Sequence, residues 1–150
     1  MMEGFSVDAD LPMDDLHEIF NDSYQRVFSS KHSEAAFFSG FYLRFLKASP
    51  AVREHFKNTD MDQQADMLKK SFFHVHKLFI TKKPTPYMEG IASKHSKAHL
   101  NIGPELYETW MEALLGTVEE FDPKFSPSIE EAWLRVMSFG VDYMKSKYAP

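Results

Sequence analysis

The chain has no cysteine among its 150 residues. That absence excludes thiol nucleophiles, zinc fingers, thiolate-held clusters and disulfide scaffolds together, and it fits a reducing compartment, so a cytoplasmic location is expected. Long hydrophobic runs are missing too. No stretch approaches the roughly 18 uncharged apolar residues of a membrane span, and the opening MMEGFSVDADLPMDDL carries acids where a signal peptide needs bases and an apolar core. Neither a membrane partner nor export by that route is expected. Positive charge is in deficit, with Lys+Arg 17 against Asp+Glu 22 and a net charge of −5, so no global field attracts a phosphate backbone and nucleic acid is not an expected partner. Glycine is scarce, and the chain holds no glycine-rich phosphate loop and no G-x-S-x-G elbow, which leaves nucleotide-binding and serine-hydrolase readings without their minimum parts. Neighbouring acids occur at Asp14 and Asp15, Glu119 and Glu120, and Glu130 and Glu131. They fall near helix ends, where solvated, dipole-compatible charges are the simpler reading than a catalytic pair.

What is abundant is aromatic. Fourteen Phe, six Tyr and two Trp make up 15% of the chain, beside nine Met and seven His. Such residues build an ordinary core, and they equally suit a pocket around a large flat apolar ligand. Length permits either, since a chain of this size buries roughly 70% of the surface its unfolded form exposes.

Prolines punctuate the chain. Ser49-Pro50, Thr85-Pro86, Gly103-Pro104 and Ser126-Pro127 each place a cap-type residue before proline, the arrangement of a first helical turn. Between these marks the apolar spacing is helical. Leu16, Ile19, Phe20, Tyr24, Val27 and Phe28 predict a helix over about 13–30, and Phe37, Phe38, Phe41, Tyr42, Phe45 and Leu46 a second one capped by Ser33. A short helix follows over 50–57, then a long one from Asp60 through Met61, Gln64, Leu68, Phe72, Val75 and Phe79. Tyr87, Met88 and Ile91 begin a shorter helix, Leu106 to Val118 the next, and Ile129 to Met144 the last. No strand-like alternation of useful length appears. The expectation is an all-α domain over 13–148 with about six long helices and one short one, preceded by a flexible extension over 1–12.

Histidine is the one residue type here able to serve as a neutral nitrogen ligand or general base, and most histidines are structural. His95 and His99 stand out by context. They are four apart, near the end of the helix after Pro86, without the glutamate of an HExxH zinc motif between them. Counting back from His95 by four and seven gives Ile91 and Met88, an apolar stripe that directs its imidazole inward, whereas His99 sits over His95 and Ala92. A second inward polar group is Tyr42, on a phenylalanine-rich face where Phe would suffice for packing. A buried hydroxyl without a partner costs about 1–3 kcal/mol. Gln64, between Met61 and Leu68 on the apolar face, is the candidate partner, while Gln63 aligns with Lys70 and His74 on the polar side. Mutual satisfaction of Tyr42 and Gln64, or of each with water, is the plain structural explanation.

These residues occur in an order that resembles a known family. The segment FYLRFLKASPAVREHF, with Tyr42, Pro50 and Phe56, is similar to the second and third helices of bacterial single-domain globins. FKNTDMDQQADML resembles the start of their distal helix, His95-Ser96-Lys97 their proximal segment, and HLNIGPELYETWMEALL and IEEAWLRVMSFGVDYM, with Trp133, their last two helices. The separation of His95 from Tyr107 departs from the commoner globin spacing, which places a changed loop between them. The resemblance covers nearly the whole chain and implies the globin fold, with haem b (iron protoporphyrin IX) bound by His95, or alternatively by His99. It implies a pocket lined by Phe56, Tyr42, Gln64, Leu68, Ile91, Ile102 and Tyr107, with Tyr42 and Gln64, or Gln63 in its place, donating hydrogen bonds to a gas ligand. The other ring nitrogen of His95 is expected to donate to a backbone carbonyl or to Ser96. His74 or another histidine is a residual candidate for the distal side of the iron. Reversible binding of dioxygen, carbon monoxide or nitric oxide is the implied function. Oxidation of nitric oxide by a separate reductase-driven cycle, gas sensing, and a haem-free helical interaction module are the alternatives. Oligomeric state and physiological role, from oxygen transport to detoxification, are not encoded at this level.

Overall fold

The computed structural model describes residues 12–149, and prolines and caps cut these described residues into seven α-helices. The expected extension over 1–12 lies, Pro12 apart, outside the described residues. The helices are α1 (Met13–Val27), α2 (Lys31–Ala48), α3 (Pro50–Phe56), α4 (Met61–Thr81), α5 (Pro86–His95), α6 (Glu105–Phe121) and α7 (Pro127–Ser146). No strand occurs among the described residues.

Three of the four proline marks start helices as read. The hydroxyls of Ser49, Thr85 and Ser126 accept backbone N–H groups of Ala51 (3.1 Å), Met88 (3.2 Å) and Ile129 (3.3 Å), with proline in each first turn. Gly103 has no side chain to cap with. There Pro104 is itself the last residue before α6, and the chain enters through a tight turn in which Leu106 N–H donates to the Gly103 carbonyl at 3.0 Å. Two further expectations need correcting. The cap of α2 is Ser30, whose extended backbone and hydroxyl receive the Ser33 N–H at 3.0 Å, so Ser33 lies inside the helix. For the same reason α1 ends at Val27 rather than near 30, because Phe28 to Ser30 must turn the chain into that cap.

Packing follows the apolar stripes. α2 crosses α6, and α7 packs on both α1 and α4. Trp133 of α7 is fully buried at their centre, edge-on to Phe20 at 4.7 Å and to Phe72 at 6.0 Å, and stacked on Phe37 at 6.4 Å. Its indole N–H donates to the Ser23 hydroxyl at 2.8 Å. That hydroxyl donates to Asp122 Oδ2 at 2.5 Å, and Arg26 grips the same carboxylate through Nε (2.8 Å) and Nη2 (2.9 Å). Burial pushes the Asp122 carboxyl up, but Arg26, Ser23 and the Lys124 N–H together hold it below its ordinary value. The chain α1–Asp122–α7 thus ties three helices through one carboxylate. Asp122→Ala leaves Arg26 and the Ser23 hydroxyl without their acceptor, and an expected loss of about 2–4 kcal/mol in urea unfolding checks it.

A second polar contact joins α1 to α4. His17 Nδ1 and His76 Nε2 lie 2.8 Å apart. Burial, followed by the proximity of His17, pushes the His76 pKa down to about 4. In the unfolded chain histidine titrates near 6.5, so between about pH 6.5 and 4 the unfolded state binds a proton that the folded state refuses. Stability is therefore complete above that window and falls as pH drops through it. Half-exposure limits the loss to about 2 kcal/mol or less. Denaturant midpoints measured from pH 7 to 4 are expected to fall more steeply for the wild type than for His76→Leu.

Candidate functional site

The phase of each helix brings polar groups from separate elements into one apolar cavity. α4 is set by its Asp60 cap, which accepts from Asp62 N–H (3.1 Å) and Gln63 N–H (3.2 Å), and this leaves Gln64 half-buried and Gln63 exposed. Thr85 and Pro86 set α5, so that Met88, Ile91 and His95 share its inner face. Between these two helices lies a cavity of about 360 Å³, closed by parts of α2, α3, α6 and α7. That volume falls within the usual range for small-molecule sites.

All eight residues expected to line a pocket do line this cavity: Tyr42, Phe56, Gln64, Leu68, Ile91, His95, Ile102 and Tyr107. The alternatives do not. Gln63 points to solvent, and His99 is exposed in the loop after α5. His74 is engaged elsewhere, its Nδ1 2.9 Å from the Thr85 hydroxyl and its ring stacked on Tyr87 at 4.5 Å.

His95 brings the imidazole of α5 to the cavity. Its Nδ1–H donates to the Ile91 carbonyl at 2.9 Å, which leaves Nε2 with the lone pair. Burial pushes its pKa below the ordinary value, the Ile91 contact opposes this, and Lys94 and His55 add to the lowering. The imidazole is neutral at neutral pH, the form a metal requires. Ser96 has no part in this: its hydroxyl donates to the Ser93 carbonyl at 2.7 Å. The loop that follows folds back under α5, with Ile102 N–H donating to the His95 carbonyl at 3.0 Å, and this carries Ile102 to the cavity wall.

From α2, Tyr42 reaches the same space with 7% of its surface exposed. Burial pushes its phenol well above the ordinary range, and a hydrogen bond with Gln64 offsets part of that rise. The phenol therefore keeps its proton and acts as a donor. Tyr107, on α6, is pushed by burial to about 12 and also remains a neutral phenol.

Several lining residues have no counterpart among the sequence-derived candidates. Phe45 and Trp110 belong to the same faces as Tyr42 and Tyr107, one turn on, and Met137, Gly140 and Met144 continue the apolar stripe of α7; periodicity could have found all five. Gly140 is a point of close approach, since a Cβ there would stand 2.6 Å from Val75 Cγ2 of α4. His55 and Lys94 lie on exposed helix faces at the rim and had no sequence signal. No aspartate or glutamate is among the described residues that line the cavity, although the chain is acidic overall. Among the described residues no group of three or more His, Cys, Asp or Glu gathers to hold a metal ion, and no helix is long and apolar enough to cross a membrane.

Comparison with known proteins agrees with this architecture. The Globin family model matches residues 21–144. A crystal structure of a protein from Pseudomonas aeruginosa, described as structurally highly homologous to a human hemoglobin, superposes with a TM-score of 0.81 at 32% identity, covering 90% of this chain and 99% of that one. Among curated proteins no significant match is found.

Proposed function

The chain belongs to the globin family, and from that premise we propose that it binds haem b in the α4–α5 cavity through His95 and takes up dioxygen and other diatomic gases there. The observation that carries this reading is the tautomer of His95. A half-buried neutral imidazole with Nδ1–H committed to Ile91 offers Nε2, and only Nε2, to a ligand.

The donor set fits the group. The His95 imidazole, aromatic and aliphatic walls, and the lack of a carboxylate among the described lining residues suit an apolar macrocycle. Lys94 and His55 at the rim are placed to meet its two carboxylates. When bound, haem supplies an iron that coordinates diatomic gases reversibly. The rest is done by side chains. Phe56 and Leu68 would help to exclude water from the pocket, the Ile91 carbonyl fixes the orientation of the His95 ring, and the Tyr42 O–H and Gln64 N–H would be the donors to a gas molecule. Such donors discriminate in favour of a ligand that gathers negative charge, as dioxygen does and carbon monoxide does less.

The same donor pair favours a second reading, in which nitric oxide, dioxygen and one electron from a separate reductase give nitrate. Production of nitrate by the loaded protein with a supplied reductant separates it from simple gas carriage. Haem titration tests the shared premise: one equivalent should produce a saturable Soret band that shifts with reductant and again with carbon monoxide. A chain that stays colourless would leave the haem-free helical module as the better reading.

A further inference from the structure

Outside the cavity, two imidazoles from different helices meet. His17 Nδ1 of α1 and His76 Nε2 of α4 are 2.8 Å apart, with ring centroids at 4.8 Å and planes inclined by 35°. Both rings are half-buried, and neither lines the cavity. Phe20 closes one side, its centroid 4.7 Å from the His76 ring. One proton occupies the gap between the two nitrogens, so one ring donates and the other accepts.

We propose that His17 and His76 form a transition-metal site that takes Cu(II), with solvent water completing the coordination. Imidazole nitrogens sit about 2.0–2.1 Å from divalent metals of this kind. Two of them on adjacent corners of a tetragonal site are then about 2.8–3.0 Å apart, whereas tetrahedral corners lie about 3.3–3.4 Å apart. The separation in this protein matches the tetragonal arrangement that Cu(II) favours, and the order of affinities puts Ni(II) and Zn(II) below it. The two nitrogens are held by helices already packed in the fold, so little ordering is needed for capture.

Proton balance also favours uptake near neutral pH. The shared proton moves to the far nitrogen of the ring that carried it. Each inner nitrogen then carries a lone pair, which a turn of its ring off the nitrogen–nitrogen line directs to the metal, and neutral rings release no net proton. Two protein ligands without a carboxylate give a site of micromolar strength, one that captures an ion on the folded protein rather than one the fold depends on.

Titration of Cu(II) into the full haem-loaded chain at pH 7.5 tests this, read by calorimetry in two buffers of different ionisation enthalpy and by electron paramagnetic resonance, where copper and ferric haem signals separate. One tight equivalent with two-nitrogen hyperfine structure and no net proton release is expected. His17→Gln keeps a hydrogen-bonding partner for His76 and should lower that affinity by about tenfold or more, with unchanged circular dichroism. His76→Gln should do the same. The proposal is overturned by no uptake at micromolar copper, by affinity within about twofold of wild type in both variants, or by loss of the tight equivalent only when the exposed His32, His55 or His99 is replaced.

Discussion

Tyr42→Phe should release dioxygen from the haem-loaded protein at least about tenfold faster than the wild type. The phenol is nearly buried, its proton is retained far above neutral pH, and the Gln64 contact orients it toward the cavity. A hydrogen bond to a charged acceptor contributes about 1.5–3 kcal/mol, and about 1.4 kcal/mol is a factor of ten. The substitution keeps the ring that packs edge-on to Phe41 at 4.9 Å and to Phe56 at 5.9 Å, so the fold should not move. Carbon monoxide release provides the internal control, because that ligand carries less charge and should respond far less. Stopped-flow displacement measures both rates. Equal acceleration for the two gases would mean that the phenyl ring had altered access rather than bonding, and an unchanged dioxygen rate would remove Tyr42 from the role. Gln64→Leu should act in the same direction, and the double variant should show less than the summed effect, since the two side chains share a hydrogen bond.

His95→Ala should weaken haem retention by more than the roughly 10–100-fold that loss of an outer-shell partner costs a metal site. The variant removes the inner-face imidazole of α5, whose Nε2 the Ile91 hydrogen bond leaves with its lone pair, while the cavity walls and the rim residues stay as they are. Transfer of haem to an excess of an apoglobin acceptor, followed by absorbance, gives the rate directly. The pH dependence has a fixed sign. Because the His95 pKa is lowered in the folded protein, protons compete with a metal only below the ordinary histidine range, so retention should be flat above neutrality and decline on acidification. A loss rate in the variant equal to that of the wild type would mean that the retained haem is not held by this imidazole.

Helices and inward polar groups were legible in the sequence because both are local. The stripe Met88, Ile91, His95 fixed one face of α5, and the interval from Asp60 fixed that of α4, which is why Gln64 rather than Gln63 meets the cavity. Caps were less legible. Ser29, Ser30 and Ser33 all suit a helix start, and only the extended backbone of Ser30 decides among them. Gly103-Pro104 looks like the other three marks but lacks the hydroxyl that makes them caps. What spacing cannot show is contact between distant segments. His55 and Lys94 reach one rim only because α3 and α5 converge there, and Asp122 meets Ser23 and Arg26 across almost a hundred positions of chain. His17 and His76 are separated by 59 residues and had no local signal of any kind.

The proposed bond between His95 and haem iron is tested most directly by the ferrous and carbon monoxide spectra of His95→Gly, recorded with haem before and after addition of free imidazole. The glycine variant alone should lack the wild-type bands, and imidazole, entering the space left by the side chain, should restore them. Wild-type spectra in the variant without imidazole would contradict the assignment and place the iron ligand on another residue.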